Sequence, residues 1–338
     1  MRFKSVCMAG GIAALLVATG STVASAEEPL NSSLEVVEEV APEVFADAHP
    51  EVSVDGSTAS AEVTMPGDPA EVVATAEVEA DASSITMGGL VGEPITLTIE
   101  SEYDVAPELT DSGELLVENS SGISSVAVIK EDASVQVAST LDGPEASERI
   151  PYELTSDVPT TLQITDSGMV LQLDAQGELV GSVAPPWARD AAGRDVPTHF
   201  EVSGNELVQV VEHHMSGFEY PIVADPYAGK NLFGGMSYSF TKKAFSITKS
   251  AYGAKIHYPT NYWIFTSYGW KEFLARTPAR SFVNTSVHQQ YDCHAAGGYY
   301  NWAGATWDFE TYRPARTGGN WGFGSAIHHC NWTTASRY

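Results

Sequence analysis

Apolar and polar residues alternate with a period of two across much of the stretch 85–226. Ile95, Leu97 and Ile99 bracket Thr96 and Thr98, and similar patterns return at 162–164, 170–173, 179–183, 200–202 and 207–211. Successive side chains of a strand point to opposite faces, so this pattern predicts strands with one face buried. Turn sequences separate them at Asp166-Ser167-Gly168, Asp174-Ala175-Gln176-Gly177 and Ser203-Gly204-Asn205. Short strands broken at this spacing predict an antiparallel meander or β-sandwich.

The flanks read differently. Residues 27–84 are rich in Ala, Val, Glu and Asp and poor in aromatics, which predicts an acidic, largely disordered spacer. Within it, Leu34, Val37, Val40 and Ala41 fall at helical spacing after Asn31-Ser32-Ser33, predicting one short helix that Pro42 limits. Beyond residue 226, the stretches 236–240 and 242–249 read as strands, as do 281–287 and 306–312. The run Tyr262-Trp263-Ile264-Phe265 reads as a short buried strand. Trp270, Phe273 and Leu274 predict a single short helix that stops before Pro278. The expected fold is mainly β: an acidic antiparallel sandwich or meander over 85–226, then a small disulfide-stapled α+β domain over 227–338.

Residues 1–26 read as an export signal. Arg2 and Lys4 precede an apolar run containing Ile12, Leu15 and Leu16, and Ala24-Ser25-Ala26 supplies a small-residue cleavage site. The run is too short to span a bilayer, and no later stretch reads as a transmembrane segment. The expectation is a secreted, extracellular protein that begins at Glu27 after cleavage following Ala26.

Charge sharpens the division. The net charge is −27, yet residues 27–226 hold 40 of the 44 acids and only four bases, Lys130, Arg149, Arg189 and Arg194. Residues 227–338 hold 11 bases against Glu272, Asp292, Asp308 and Glu310. Six of the seven tryptophans lie beyond residue 260. Such asymmetry predicts two separately built units, with opposite charge favouring intramolecular docking of the acidic and basic domains.

Of the three cysteines, Cys7 leaves with the signal, so Cys293 and Cys330 are expected to pair in an oxidising compartment. Around them stand Gln290-Tyr291-Asp292-Cys293-His294, then Trp307-Asp308-Phe309-Glu310 with Arg313-Pro314, and finally Cys330-Asn331. This order, with Gly269-Trp270 upstream, resembles an actinobacterial family of secreted proteins carrying the domain of unknown function numbered twenty-five ninety-nine. The resemblance covers about the last third of the chain. It departs from the family pattern at Asp308-Phe309, where Asn-Leu is usual, and at Trp332, where Pro commonly follows. It implies a secreted domain and supplies no activity. The run Pro186-Trp187-Ala188-Arg189-Asp190, with Val196-Pro197-Thr198 and the ending Tyr220 to Pro226, is similar to a module of actinobacterial secreted proteins. There the module precedes varied C-terminal domains, which implies a boundary at residue 226.

Three sets of residues invite chemistry. His294, His328 and His329 flank the cysteines and, with Asp292 or Asp308, offer ligands of the zinc type. Regular ligand spacing is missing, and adjacent histidines on a strand face opposite ways. His294, Glu310 and Arg313 are the residue types of a ribonuclease-like acid, base and phosphate stabiliser, although Glu310 and Arg313 also suit a structural ion pair. Trp307, Trp321, Phe323, Lys242 and Lys243 are candidates for a binding surface, the second and third of these among Gly318, Gly319, Gly322 and Gly324. His213-His214 read as a strand-edge pair. Phosphate loops, dinucleotide-binding glycines and a nucleophile elbow do not occur, and pairing removes free-thiol chemistry. No cofactor is expected, and nucleic acid is not the expected partner. The leading expectation is non-enzymatic binding of a cell-envelope polymer or anionic surface through the C-terminal domain. Alternatives are a proprotein that releases a cationic, bacteriocin- or toxin-like effector near Asp225, and a secreted nuclease or hydrolase.

Overall fold

Two antiparallel sheets carry the alternating segments. The computed structural model describes residues 27–102, 105–215, 217–297, 306–317 and 330–334, so the expected export signal lies outside the described residues. The first sheet has eight strands, in the spatial order Ser53–Asp55, Thr58–Met65, Asp68–Glu79, Ser84–Gly89, Ile95–Ile99, Arg149–Ser156, Glu206–Val211 and Thr198–Ser203. The second runs Thr160–Ile164, Val170–Asp174, Leu179–Val183, Tyr227–Gly229, Val135–Leu141, Ile123–Ile129, Leu115–Ser120 and Glu108–Leu109. Ala188–Asp190 and Ile222–Ala224 join it at the side of Val135–Leu141. Their inner faces share one core, in which Ile85, Leu97 and Tyr152 meet Val117, Val137 and Val183. Gly181 lets the sheets close, because a Cβ there would lie 2.6 Å from Ile95 Cδ1.

The second sheet is covered on its outer face as well. Helix Glu27–Val40 and the residues just after it set Val37, Ala41 and Val44 on Leu116, Val126, Val128 and Ala138. Further along that face, Leu171, Leu179, Ala184 and Tyr227 pack into the core of the C-terminal region. This is why Ile123–Ile129 and Val135–Leu141 are buried at every position, as strands sandwiched on both sides must be.

The expected spacer at 27–84 is instead part of this architecture. It supplies the covering helix and three strands of the first sheet in full, Ser53–Asp55, Thr58–Met65 and Asp68–Glu79. The alternation is present, but its buried positions are mostly small: Ala59, Ala61, Ala74, Ala76 and Val78 face in while Glu62, Thr75, Glu77 and Glu79 face out. Alanine and glutamate together read as disorder in composition, yet period two is enough when neighbouring strands supply the bulk. The helix also starts earlier than expected, and Ser33 bonds Ser124 beneath it rather than capping its start.

Beyond residue 230 a three-stranded sheet of Phe233–Ser239, Ala244–Lys249 and Thr306–Glu310 packs against helices. The helices are Ala251–Ile256, Tyr262–Ile264, a π-helical turn Phe265–Gly269, Trp270–Arg276 and Thr285–Gly297, with a 3-10 turn at Arg280–Phe282. The single expected helix is therefore one of several, and 262–265 and 281–287 are not strands. A short apolar run does not distinguish strand from helix by itself.

The boundary expected at residue 226 also shifts. Tyr227–Gly229 is an interior strand of the large sheet, paired with Leu179–Val183 on one side and Val135–Leu141 on the other. The junction that follows is built of buried polar contacts. The Asp132 carboxylate accepts the Tyr252 N–H at 2.9 Å, the Tyr252 hydroxyl donates to Ser182 O at 2.7 Å, and Lys230 Nζ donates to Glu93 O at 2.5 Å. Among the described residues the ion pair across the junction is Lys271–Glu178, and both partners are exposed. Opposite net charge is therefore not what fastens the two regions; desolvated hydrogen bonds and apolar packing do so.

Candidate functional site

The motif residues around the disulfide converge, and their contacts are architectural. Cys293, on helix Thr285–Gly297, bonds Cys330 with Cα atoms 5.6 Å apart. The Gln290 amide donates to Glu310 O at 3.0 Å and accepts from Glu310 N at 2.9 Å, replacing a strand neighbour for the sheet edge. Gln289 does the same one segment later, with Arg316 N at 2.6 Å and Arg316 O at 3.0 Å. Arg313 grips Glu310 in two parallel bonds, Nε to Oε2 at 2.7 Å and Nη2 to Oε1 at 2.8 Å, and donates a third from Nη1 to Trp332 O at 2.8 Å. Trp332 Nε1 donates to Pro314 O at 2.8 Å, and its ring lies beneath the Arg316 guanidinium. Three chain segments are thus clasped by side chains of the motif.

His294 lies in an aromatic core rather than in the Glu310–Arg313 clasp. It is buried, with its ring 5.7 Å from Trp307 in a stacked arrangement and 5.4 Å from Phe309. Burial pushes its pKa down to about 4, against the opposing pull of the Asp308 backbone and Glu310. It is a neutral imidazole in an aromatic core, a poor position from which to exchange protons with a substrate. Trp307, expected at a binding surface, is likewise a core residue and is 1% exposed. His328, His329, Trp321 and Phe323 lie outside the described residues. Among the described residues no three His, Cys, Asp or Glu side chains gather into a metal-ligand set.

A second buried imidazole, His257, donates from Nε2 to Ala295 O at 2.8 Å, with Lys249 Nζ 3.2 Å from its Nδ1. Its pKa is also pushed down to about 4 by burial. Deeper still, Glu272 accepts from Leu232 N at 2.8 Å and Phe233 N at 3.2 Å, and pairs with Arg276 where both side chains are almost fully buried. The Asp225-Pro226 step, considered above for processing, sits between two strands with the Asp225 side chain fully enclosed.

One set of exposed residues lies at one end of the small sheet. The turn after Phe233–Ser239 exposes Phe240, Lys242 and Lys243, and the 3-10 turn Arg280–Phe282 lies against it. Tyr238 stacks on Phe282 with centroids 5.1 Å apart, and Phe240 meets both rings edge-on. Phe240 is 73% exposed and Phe282 45%. Thr311 fixes the turn by donating its N–H and hydroxyl to Lys243 O at 2.9 and 3.0 Å. Among the described residues Lys242, Lys243 and Arg280 enter no ion pair. The lysines were visible in the sequence; Phe282 was hidden by the strand expected over 281–287, and Arg280 lies just before it. Beside the tip a shallow cleft of about 440 Å³ runs over Ser237, Ser246, Asp308 and Tyr312.

No protein-family model, curated protein or solved structure matches this chain.

Proposed function

We propose that the chain is an exported, non-enzymatic binding protein whose C-terminal region engages an anionic partner at the cell envelope. The observation that carries this reading is the exposed tip formed by Phe240, Phe282, Lys242, Lys243 and Arg280, whose cations are not engaged in ion pairs among the described residues. Groups that an enzyme would use are committed elsewhere: Glu310 and Arg313 to each other and to Trp332, and His294 to an aromatic core. Cationic side chains beside exposed aromatic rings recognise phosphate- or carboxylate-bearing surfaces. The export-type N-terminus, the resemblance to secreted proteins and the disulfide support placement outside the cytoplasm. No helix of the described residues is long and apolar enough to cross a membrane.

The test presents residues 27–338 with soluble teichoic acid, soluble polyphosphate and phosphatidylglycerol vesicles at low salt. Binding to at least one is expected, weakening steeply as salt rises because the contact is electrostatic. Lys242→Gln with Lys243→Gln is expected to remove most of it. Absence of affinity for all three overturns the reading.

A further inference from the structure

The tip has features that a soluble polyanion does not require. Phe240 stands out from a turn that hydrogen bonds hold in place and Phe282 from the 3-10 turn packed against it, and Lys242, Lys243 and Arg280 are exposed on the same two turns. The strand Phe233–Ser239 spans about 20 Å along its own length, at about 3.3 Å per residue, and its first residues lie beside Val63 and Asp132 of the sandwich. The screening length at physiological salt is about 8 Å, so acidic groups farther than this from the tip repel an anionic surface there only weakly. The counts of charge favour the C-terminal region for such a contact, with 11 bases against four acids beyond residue 226 and 40 acids before it.

Resting on the reading of the C-terminal region as the part that binds an anionic partner, we infer that this tip is a membrane-interface anchor. It seats Phe240 and Phe282 among the headgroups of an anionic lipid bilayer, with Lys242, Lys243 and Arg280 on the surrounding phosphates. The chemistry matches what such a surface offers. An apolar wedge gains by leaving water at the headgroup level, and each nearby cation adds an attraction to anionic lipid. Tyr238 braces Phe282 from below through the parallel stack, so the wedge enters already formed. Lysine stems lie along apolar surface while their ammonium groups reach the phosphates.

Flotation of residues 27–338 with phosphatidylcholine vesicles, with and without phosphatidylglycerol, tests this. Binding is expected only where phosphatidylglycerol is present. Phe240→Ser is expected to weaken it about tenfold, the scale of losing one buried aromatic ring. Lys242→Gln and Lys243→Gln are each expected to weaken it about fivefold. A Phe240→Trp variant places a fluorophore at the tip, and its emission is expected to shift to the blue and to be quenched by lipids brominated along the acyl chain. Phe240 is exposed, so these changes leave the core intact, and an unchanged melting profile verifies it.

Binding to soluble teichoic acid or polyphosphate with none to the vesicles overturns the lipid anchor and leaves the broader reading standing. Vesicle binding that survives Phe240→Ser at full strength also overturns it, as does emission from the Phe240→Trp variant that lipid leaves unmoved. Failure with every anionic probe removes both readings together.

Discussion

The sandwich and the C-terminal region are stabilised by different means. In the sandwich, apolar faces alternate along strands and meet across the sheets, so many interchangeable contacts of Val, Ile, Leu and Ala hold it. In the C-terminal region much of the structure depends on particular polar side chains: Gln289 and Gln290 against backbone, Glu272 with Arg276, Glu310 with Arg313. A core of the first kind tolerates volume-conserving change. One of the second kind fails at single positions, because a buried polar partner left alone keeps its desolvation cost.

The largest effect expected from this contrast is loss of the disulfide. Cys293 and Cys330 are separated by 37 residues, and constraining such a loop is worth about 4 kcal/mol in the chain-entropy treatment. Urea unfolding followed by tryptophan emission reports the C-terminal region, where six of seven tryptophans lie. Dithiothreitol is expected to move that transition strongly. If strand circular dichroism keeps its midpoint, the regions unfold separately; if both move together, the junction couples them.

Next comes the buried ion pair. Glu272→Gln leaves Arg276 uncompensated and is expected to cost about 3 kcal/mol. Adding Arg276→Met is expected to restore part of that loss. Simply additive losses would show that the two side chains do not act as a pair.

Gly229→Ala probes the junction itself. A Cβ at this position would fall 2.8 Å from the Tyr252 ring and 2.9 Å from Ser134 Cβ. Overpacking of this kind is expected to cost about 2 kcal/mol and to shift the tryptophan and circular dichroism transitions together. A shift in only one of them would show that the two regions are independent at this contact.

The last comparison separates the regions by pH. Burial pushes the Asp225 carboxyl in the sandwich up to about 8, so the folded state keeps a proton that the unfolded chain releases near pH 4. Its contribution is therefore full below about pH 4 and is lost as pH rises toward 8. His257 and His294 act in the opposite sense. Their folded pKa near 4 lies below the usual imidazole value, so their contribution is lost as pH falls from about 6.5 to 4. Asp225→Asn is expected to flatten the first dependence and His294→Phe to reduce the second, measured as urea midpoints across pH 4 to 8. Equal slopes before and after substitution would show that these groups are not held neutral.

Legibility followed the same division. Ile95–Ile99, Leu179–Val183 and Glu206–Val211 were plain in the sequence because apolar residues occupy their inward positions. Strands built on Ala59, Ala61, Ala74 and Ala76 were not, since alanine marks a buried face only weakly. Helix Thr285–Gly297 escaped for a different reason. Its buried side does recur at helical spacing, but Ser286, Gln290 and His294 occupy it beside Val287, Tyr291 and Cys293. A hydrophobic pattern cannot reveal a helix whose inner face is partly polar. The cysteine pair was readable once Cys7 was assigned to the expected export signal. Of the exposed tip Lys242 and Lys243 were readable; Phe240 and Phe282 were read within strands, and their rings meet only because a turn distant in sequence arrives there.

The strand Tyr227–Gly229 also sets a timetable. It fills the gap between Leu179–Val183 and Val135–Leu141, although every other strand of both sandwich sheets precedes it in the chain. A chain delivered N-terminus first therefore waits, with two facing strand edges open, until its last sandwich strand arrives. Open edges pair readily with strands from other molecules. The interval before residue 229 emerges is when nascent copies are most prone to stick to one another, and when a holding chaperone would have the most to shield.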